Sequence, residues 1–140
     1  MAINFFTEDV SFNLLHKRNL KNWLKNIAEK EQKKIATLNY IFCSDTYLLT
    51  LNQTYLKHNT LTDILTFPHD EKQDICISGD IYISTERVNE NAILFKTSFE
   101  NELHRVMAHG LLHLIGYGDK TKAEKELMHK KENFYLSYIK

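Results

Sequence analysis

An amphipathic helix is predicted between Thr97 and Gly116, and its apolar face must find a partner in the rest of the fold. Thr97 and Glu100 have the spacing of a capping box that begins a helix, and Gly116 is a residue at which such a helix ends. At about 100° per residue, five residues cluster on one side of it: Phe99, Leu103, Val106, Gly110 and Leu114. This helix is expected to be central to the fold.

Strand and helix patterns alternate along the rest of the chain. Residues 3–6, 38–43, 63–68 and 80–84, the last preceded by Gly79, have the composition or alternation of strands. Helices are predicted around residues 20–27, from Ser44 and Asp45 to about Tyr55, from Ser84 into the mid-90s, and after a capping box at Thr121 and Glu124. We expect a single α+β domain over residues 1–140, with a small mixed sheet of about four strands packed with about five helices.

The last predicted helix and the two cysteines lead to expectations about burial. In that helix the side chains expected to face the core are Ala123, Leu127, Phe134 and Tyr138. Cys43 and Cys76 are isolated in apolar surroundings and no export signal precedes them, so both are predicted to be buried thiols of a protein in the reducing cytoplasm. No apolar run approaches the length of a membrane helix, and we expect no membrane partner.

The overall charge gives no sign of a nucleic-acid partner, but its distribution does. The chain carries 18 Lys and Arg against 18 Asp and Glu, so the basic excess common in nucleic-acid-binding domains is missing. Residues 17–34 alone contain seven basic and two acidic side chains, a local charge of +5. This stretch is either a solvated helix face or a track for phosphates.

A metal site is predicted at the end of the helix that contains Gly110. His109 and His113 lie one turn apart at the edge of its apolar stripe, where two imidazoles can share one ion. Gly116 and Gly118 can reverse the chain and bring Asp119 back toward them. Two imidazoles and one carboxylate leave a position open on a tetrahedral zinc ion, which is typical of a catalytic site. The alternative is two histidines at the core edge and an ordinary turn acid.

Gly110 argues against one class of metalloenzyme. A zincin protease carries H-E-x-x-H on its helix, and the glutamate is the general base, whereas this chain has glycine in that place. Glycine inside a helix costs about 1 kcal/mol relative to alanine. We therefore expect another part of the protein to approach the helix backbone closely at Gly110.

Several motifs in register are similar to those of one known family. They are HGLLHLIGY followed by an acidic turn, LNQTYLKHNTLTDILTFP at residues 51–68, Gly79-Asp80-Ile81, and Met128-x-x-x-Glu132. Together they resemble the YbeY family of metal-dependent endoribonucleases in bacterial ribosome maturation. The resemblance implies one zinc ion, hydrolysis of single-stranded RNA, and a role in 16S rRNA 3′-end maturation and late quality control of the 30S subunit. Ribosomal or assembly proteins are its implied further partners.

The chain departs from the family pattern at two positions. The family usually has a third histidine where this chain has Asp119, and a carboxylate there keeps a competent zinc ligand with one more negative charge. The family also commonly carries an arginine, implicated in RNA cleavage, where this chain has Leu56. Lys57 and His58 are the nearest cations and are the expected substrate-binding residues, although lysine lacks the bidentate fork of arginine.

The sequence leaves three functions open. The first is the metal-dependent endoribonuclease, with His109, His113 and Asp119 as ligands and no catalytic group identified beyond the water that zinc activates. The second, favoured by Leu56, is a zinc-stabilised ribosome-assembly or RNA-binding factor with little nuclease activity. The third is a small metalloprotease, which Gly110 disfavours. No catalytic role is assigned to four other residues: Asp63, Asp80, His104 and Glu132.

Overall fold

The computed structural model describes residues 1–55, 62–70 and 75–139. Within these residues the chain forms four strands and five helices, which confirms the predicted α+β class. The strands are β1 (Ala2–Thr7), β2 (Lys34–Cys43), β3 (Ile64–Pro68) and β4 (Cys76–Ser84). The helices are α1 (Lys17–Lys30), α2 (Asp45–Tyr55), α3 (Thr85–Leu94), α4 (Phe99–Ile115) and α5 (Lys122–Leu136). Among the residues described, no helix combines the length and apolar character needed to cross a bilayer.

The four strands form one mixed sheet in the order β1-β2-β4-β3. β1 and β4 pair with β2 in parallel, and β3 pairs with β4 in the antiparallel direction. Tyr40, near the middle of β2, pairs with Phe5 on one side and Ile81 on the other. The antiparallel β3 is an edge strand, so one of its sides is open to a neighbouring cleft.

Helix α4 packs across one face of this sheet. Its apolar stripe lies in the same buried cluster as the inward side chains of the central strands: Leu38, Tyr40, Phe42, Ile77, Ile81, Ile83, Leu103, Met107 and Leu111. The Tyr40 hydroxyl, which is fully buried, donates a hydrogen bond of 2.7 Å to the carbonyl oxygen of Met107. This bond satisfies a buried phenol and fixes α4 along the sheet.

The backbone of α4 lies very close to the sheet at Gly110. A Cβ atom at this position would lie 2.9 Å from Cγ2 of Ile81 and 3.0 Å from Cδ1 of Ile64. Ordinary carbon contacts are about 3.5–4.0 Å, so only glycine permits this spacing. The expected close approach to the helix backbone is therefore found, and the sheet is what approaches.

Two details of the helices differ from the sequence prediction. Ser98, not Thr97, caps α4: its side chain accepts from the backbone N–H of Asn101, and Thr97 instead accepts from the Asn101 side chain. The Thr121–Glu124 capping box and the end of α4 at Gly116 are confirmed. The predicted core face of α5 is wrong, because Ala123, Leu127, Phe134 and Tyr138 are exposed and the buried side chains are Met128, Glu132 and Tyr135.

Strand lengths and one cysteine also differ from expectation. β2 and β4 each begin four residues earlier than predicted. Gly79 therefore lies inside β4 rather than before it. Cys43 is buried as expected, but Cys76 is exposed, because it is the first residue of β4 and precedes the part of the strand that α4 covers.

Replacing Gly110 by alanine should lower the free energy of unfolding by roughly 1–3 kcal/mol, the usual cost of overpacking a core. The reason is the overlap of the new methyl group with Ile81 and Ile64, which outweighs the better helix propensity of alanine. Urea denaturation measures the change. Ile81→Val removes one of the contacting methyl groups, so the costs of the two substitutions should be less than additive in the double variant. A Gly110→Ala protein more stable than wild type would contradict this account.

Candidate metal centre

Helix α4 and the loop after it bring His109, His113 and Asp119 together. The two histidines lie one turn apart in the last part of α4, beside the Gly110 contact with the sheet. Gly116 ends the helix with a φ of 128°, and the N–H of Tyr117 then donates to the carbonyl oxygen of Leu112 at 3.0 Å. A φ of this sign suits glycine, and it reverses the chain so that Asp119 returns to the histidines.

The three side chains offer a compact set of ligand atoms. Oδ2 of Asp119 lies 3.2 Å from Nε2 of His109 and 3.1 Å from Nε2 of His113. One nitrogen or oxygen from each residue falls within 4.8 Å of the others. Tetrahedral ligands about 2.0–2.2 Å from zinc lie roughly 3.4 Å apart, so the spacing and the donor types fit this ion.

Glu132 on α5 orients His109. Nδ1 of His109 donates to Oε2 of Glu132 at 2.7 Å, because a carboxylate can only accept. With Nδ1 engaged in this way, Nε2 of His109 faces Oδ2 of Asp119 at 3.2 Å and is the nitrogen available to a metal ion. Carboxylates behind metal-bound histidines commonly fix the imidazole in this way.

Arg105 holds Glu132 in turn. Its guanidinium donates to Oε1 of Glu132 at 3.1 Å and to Oδ1 of Asn133 at 2.7 Å. Glu132 is only 6% exposed, and a buried carboxylate without such partners would be costly. The chain Arg105–Glu132–His109 therefore connects α4 to α5 through charged hydrogen bonds.

A second network holds the loop that carries Asp119. Glu31, at the end of α1, accepts hydrogen bonds from the hydroxyls of Tyr117 at 2.6 Å and of Tyr135. Nζ of Lys131 also donates to Glu31, at 3.0 Å. Tyr117 is two residues before Asp119, so α1, α5 and the ligand loop are tied to one carboxylate.

The electrostatics of the centre favour a cation. Burial disfavours protonation of His109, but the hydrogen bond and charge of Glu132, with the nearby Asp119, outweigh it and raise the pKa of His109 above its usual 6.5. Burial opposes ionisation of Asp119, yet the contacts with His113 and His109 outweigh it and lower the Asp119 pKa. Burial raises the pKa of Asp63, which the charge of His109 only partly offsets. The centre is thus rich in carboxylates that surround two imidazoles.

A cleft of about 740 Å³ opens beside His109, His113 and Asp119. Strand β3 and the preceding Asp63 form one wall, and the last turn of α4 with Lys120 forms the other. The backbone carbonyl of Asp63 accepts from the N–H of Ser84 at 3.0 Å, which holds this rim against the sheet. The cleft leaves these three side chains accessible from solvent.

The remaining residues singled out in the sequence lie elsewhere or are not described. Lys57 and His58, with Leu56, lie outside the described residues. His104 packs beside Trp23, with ring centroids 6.0 Å apart, and takes no part in the centre. Asp80 accepts from Asn39 at 2.9 Å and contacts His69 at 2.8 Å, in a polar row on the other face of the sheet.

Sequence reasoning missed the supporting residues Glu132, Arg105 and Glu31. Glu132 shares a helical stripe with Met128 and Tyr135, but the stripe of Leu127, Phe134 and Tyr138 is equally regular, so helical periodicity alone did not mark Glu132 as buried. Glu31 gave no local signal, since Tyr117 is 86 positions away.

Comparison with known proteins places the chain among characterised sequences. The sequence profile of one family, described as Endoribonuclease YbeY, matches residues 3–140. A protein of this name from Cytophaga hutchinsonii is 51% identical over 99% of this chain and 96% of the relative, and one from Amoebophilus asiaticus is 46% identical over 96% and 90%. The solution structure of TM1509 from Thermotoga maritima aligns with a TM-score of 0.69 and 34% identity, over 98% of this chain and 88% of that chain.

In the metal-free protein, Glu132→Gln should lower the pKa of His109, because burial then acts without the carboxylate that outweighs it. The raised wild-type pKa also means that the Glu132 contact stabilises the fold below about pH 6.5 and that this contribution is lost as the pH rises through the pKa of His109. NMR titration of the imidazole measures the shift. Glu126→Gln, the same change of charge at an exposed position of α5, is the control. An unchanged His109 pKa in Glu132→Gln would show that the contact does not hold the imidazole.

Proposed function

The chain belongs to the YbeY endoribonuclease family, and we propose that it hydrolyses phosphodiester bonds of single-stranded RNA at the centre formed by His109, His113 and Asp119. The substrate we propose is the 3′ end of 16S rRNA, in maturation and late quality control of the 30S subunit in the cytoplasm. The observation that carries the proposal is the convergence of three ligand atoms on one point at the wall of an open cleft.

Zinc is the ion we propose for this centre. Two imidazoles and a carboxylate are a common zinc donor set, and three protein ligands leave a fourth position for water or substrate. When bound, zinc lowers the pKa of water and polarises a phosphodiester oxygen. Zinc requires neutral imidazoles and an ionised carboxylate. The lowered pKa of Asp119 favours the ionised carboxylate, whereas the raised pKa of His109 means that protons compete with the metal as the pH falls.

The protein supplies position and shape to this chemistry. Glu132 holds the His109 ring so that Nε2 faces the ion, and Glu31 holds the Tyr117 loop that presents Asp119. We propose that a single strand of RNA lies in the cleft beside the edge strand β3. Lys57 and His58 remain our proposed substrate contacts.

A second function is favoured by Leu56 alone. Without the family arginine at this position, a protein that binds zinc and RNA but hardly cleaves would act as an assembly factor of the ribosome, through 30S or assembly-protein contacts. The protease alternative loses further support from the fold, because Gly110 lies against Ile81 and Ile64, where a glutamate side chain has no space.

His113→Ala should remove the bound zinc and abolish processing of an RNA that carries the 3′-extended end of 16S rRNA. His104→Ala is the control, because His104 is a histidine of the same helix that lies outside the centre. Elemental analysis and an RNA cleavage assay measure the two effects. Unchanged zinc and unchanged cleavage in His113→Ala would contradict the proposal, and loss of zinc with intact processing would favour the assembly factor.

Asp119→His should keep one zinc ion per chain and move the pH profile of cleavage toward lower pH. The reason is that the ion becomes a stronger Lewis acid when one negative charge is removed from its ligands. Asp119→Ala, which deletes the ligand, should lose the metal. If Asp119→Ala binds zinc as tightly as wild type, Asp119 is not a ligand.

A further inference from the structure

Helix α5 presents a basic face to solvent next to the metal centre. Lys122, Lys125, His129 and Lys130 are all exposed and line a shallow groove together with Glu126. Positions 122, 125 and 129 are spaced by three and four residues, so their side chains project from one side of the helix. With histidine neutral, the groove carries three positive charges and one negative charge.

Two acids near this face, Glu124 and Glu132, are bound internally, whereas Glu126 lines the groove together with the lysines. Oε1 of Glu124 accepts from the N–H groups of Lys120 and Thr121, at 3.1 and 2.9 Å. Glu132 is held by His109 and Arg105. Across residues 1–55, 62–70 and 75–139, no carboxylate forms an ion pair with Lys122, Lys125 or Lys130. The field of these lysines is therefore directed outward.

Both ends of the basic face connect to the metal centre. Lys120, two residues before α5 begins, lines the cleft that contains His109, His113 and Asp119. At the other end, Nδ1 of His129 lies 3.5 Å from the Arg105 guanidinium, which holds Glu132. A chain that leaves the cleft past Lys120 meets the α5 lysines next.

The length and chemistry of this face match a short stretch of nucleic-acid backbone. From residue 122 to 130 the helix rises about 12 Å, which corresponds to roughly three or four phosphates at about 3.4 Å per nucleotide of a stacked strand. Lysines bind phosphates as point charges, so such a contact does not depend on base sequence.

Helix α1 is the competing basic surface, and its charges are more engaged. Lys25 pairs with Glu29 at 3.9 Å, and Nζ of Lys21 lies 5.9 Å from the centre of the Phe5 ring. Lys30 lies over the ring of Tyr138 at 4.8 Å. At the end of α1, the residue that binds Tyr117 in the loop before Asp119 is an acid, Glu31, rather than a lysine.

We infer that the exposed face of α5, with Lys122, Lys125 and Lys130, binds the phosphodiester backbone of the RNA strand whose scissile bond lies at the metal centre. The inference rests on the proposed function, since it assigns a second contact to the same substrate. It places the basic track on α5 rather than on the +5 stretch at residues 17–34.

The test compares two triple variants that lose the same charge. The α5 variant carries Lys122→Gln, Lys125→Gln and Lys130→Gln. The α1 variant carries Lys17→Gln, Lys21→Gln and Lys25→Gln. Binding of a labelled twelve-nucleotide single-stranded RNA is measured with a chelator present, which prevents cleavage, at several salt concentrations. Each phosphate contact of a single strand contributes about 0.7 to the salt slope, so the α5 variant should show a slope smaller by about 2. At 0.1 M salt this corresponds to binding weaker by about tenfold to a hundredfold.

The α1 variant should bind like wild type, and circular dichroism checks that both variants are folded. Equal binding by the α5 variant and wild type, or a loss confined to the α1 variant, would overturn the inference.

Cleavage by wild type with added zinc is measured separately. If the wild-type protein cleaves RNA and the α5 variant binds RNA normally, only the α5 contact is refuted. If the α5 variant loses binding but the wild-type protein never cleaves, only the nuclease activity is refuted.

Discussion

The contact between α4 and the sheet at Gly110 determines where the chemistry of this protein can take place. Glycine allows the helix backbone to lie against Ile81 and Ile64, and the Tyr40 hydroxyl fixes the helix by a bond to the Met107 carbonyl. His109 precedes this contact and His113 follows it by three residues, so both imidazoles emerge at the edge of β3. A bulkier residue at position 110 would lift the helix and move the ligands with it.

The charged side chains divide into carboxylates that form internal hydrogen bonds and lysines that face solvent. Three carboxylates accept internal hydrogen bonds. Glu31 holds the loop that carries Asp119, Glu124 caps α5, and Glu132 orients His109. Each satisfies several donors, which offsets the cost of burying or immobilising its charge. The exposed lysines Lys122, Lys125 and Lys130 of α5 form no ion pair with a described carboxylate, whereas Lys131 binds Glu31. A chain of zero net charge therefore presents a locally positive surface, and the formal balance of 18 against 18 hides it.

The grouping of His109, His113 and Asp119 was readable from the sequence because it is local. His109, His113 and Asp119 fall within eleven residues, and helix spacing with a glycine terminator suffices to bring them together. The phase of α5 was not readable, because Leu127, Phe134 and Tyr138 have a helical spacing as regular as that of the true core face, Met128, Glu132 and Tyr135. Glu132 can be buried because Arg105 and His109 of α4 bind its carboxylate. The local sequence of α5 does not show these partners, since they come from another helix. The start of α4 differed by one residue because Thr97 and Ser98 can both cap.

X-ray absorption at the zinc edge of the purified protein tests the central claim most directly. We expect one zinc ion per chain, with two imidazole nitrogens and one carboxylate oxygen at about 2.0–2.2 Å and a further light-atom ligand, and we expect His113→Ala to lose this signal. A protein without zinc, or a zinc coordinated by sulfur at about 2.3 Å, would contradict the assignment of His109, His113 and Asp119 as the metal centre.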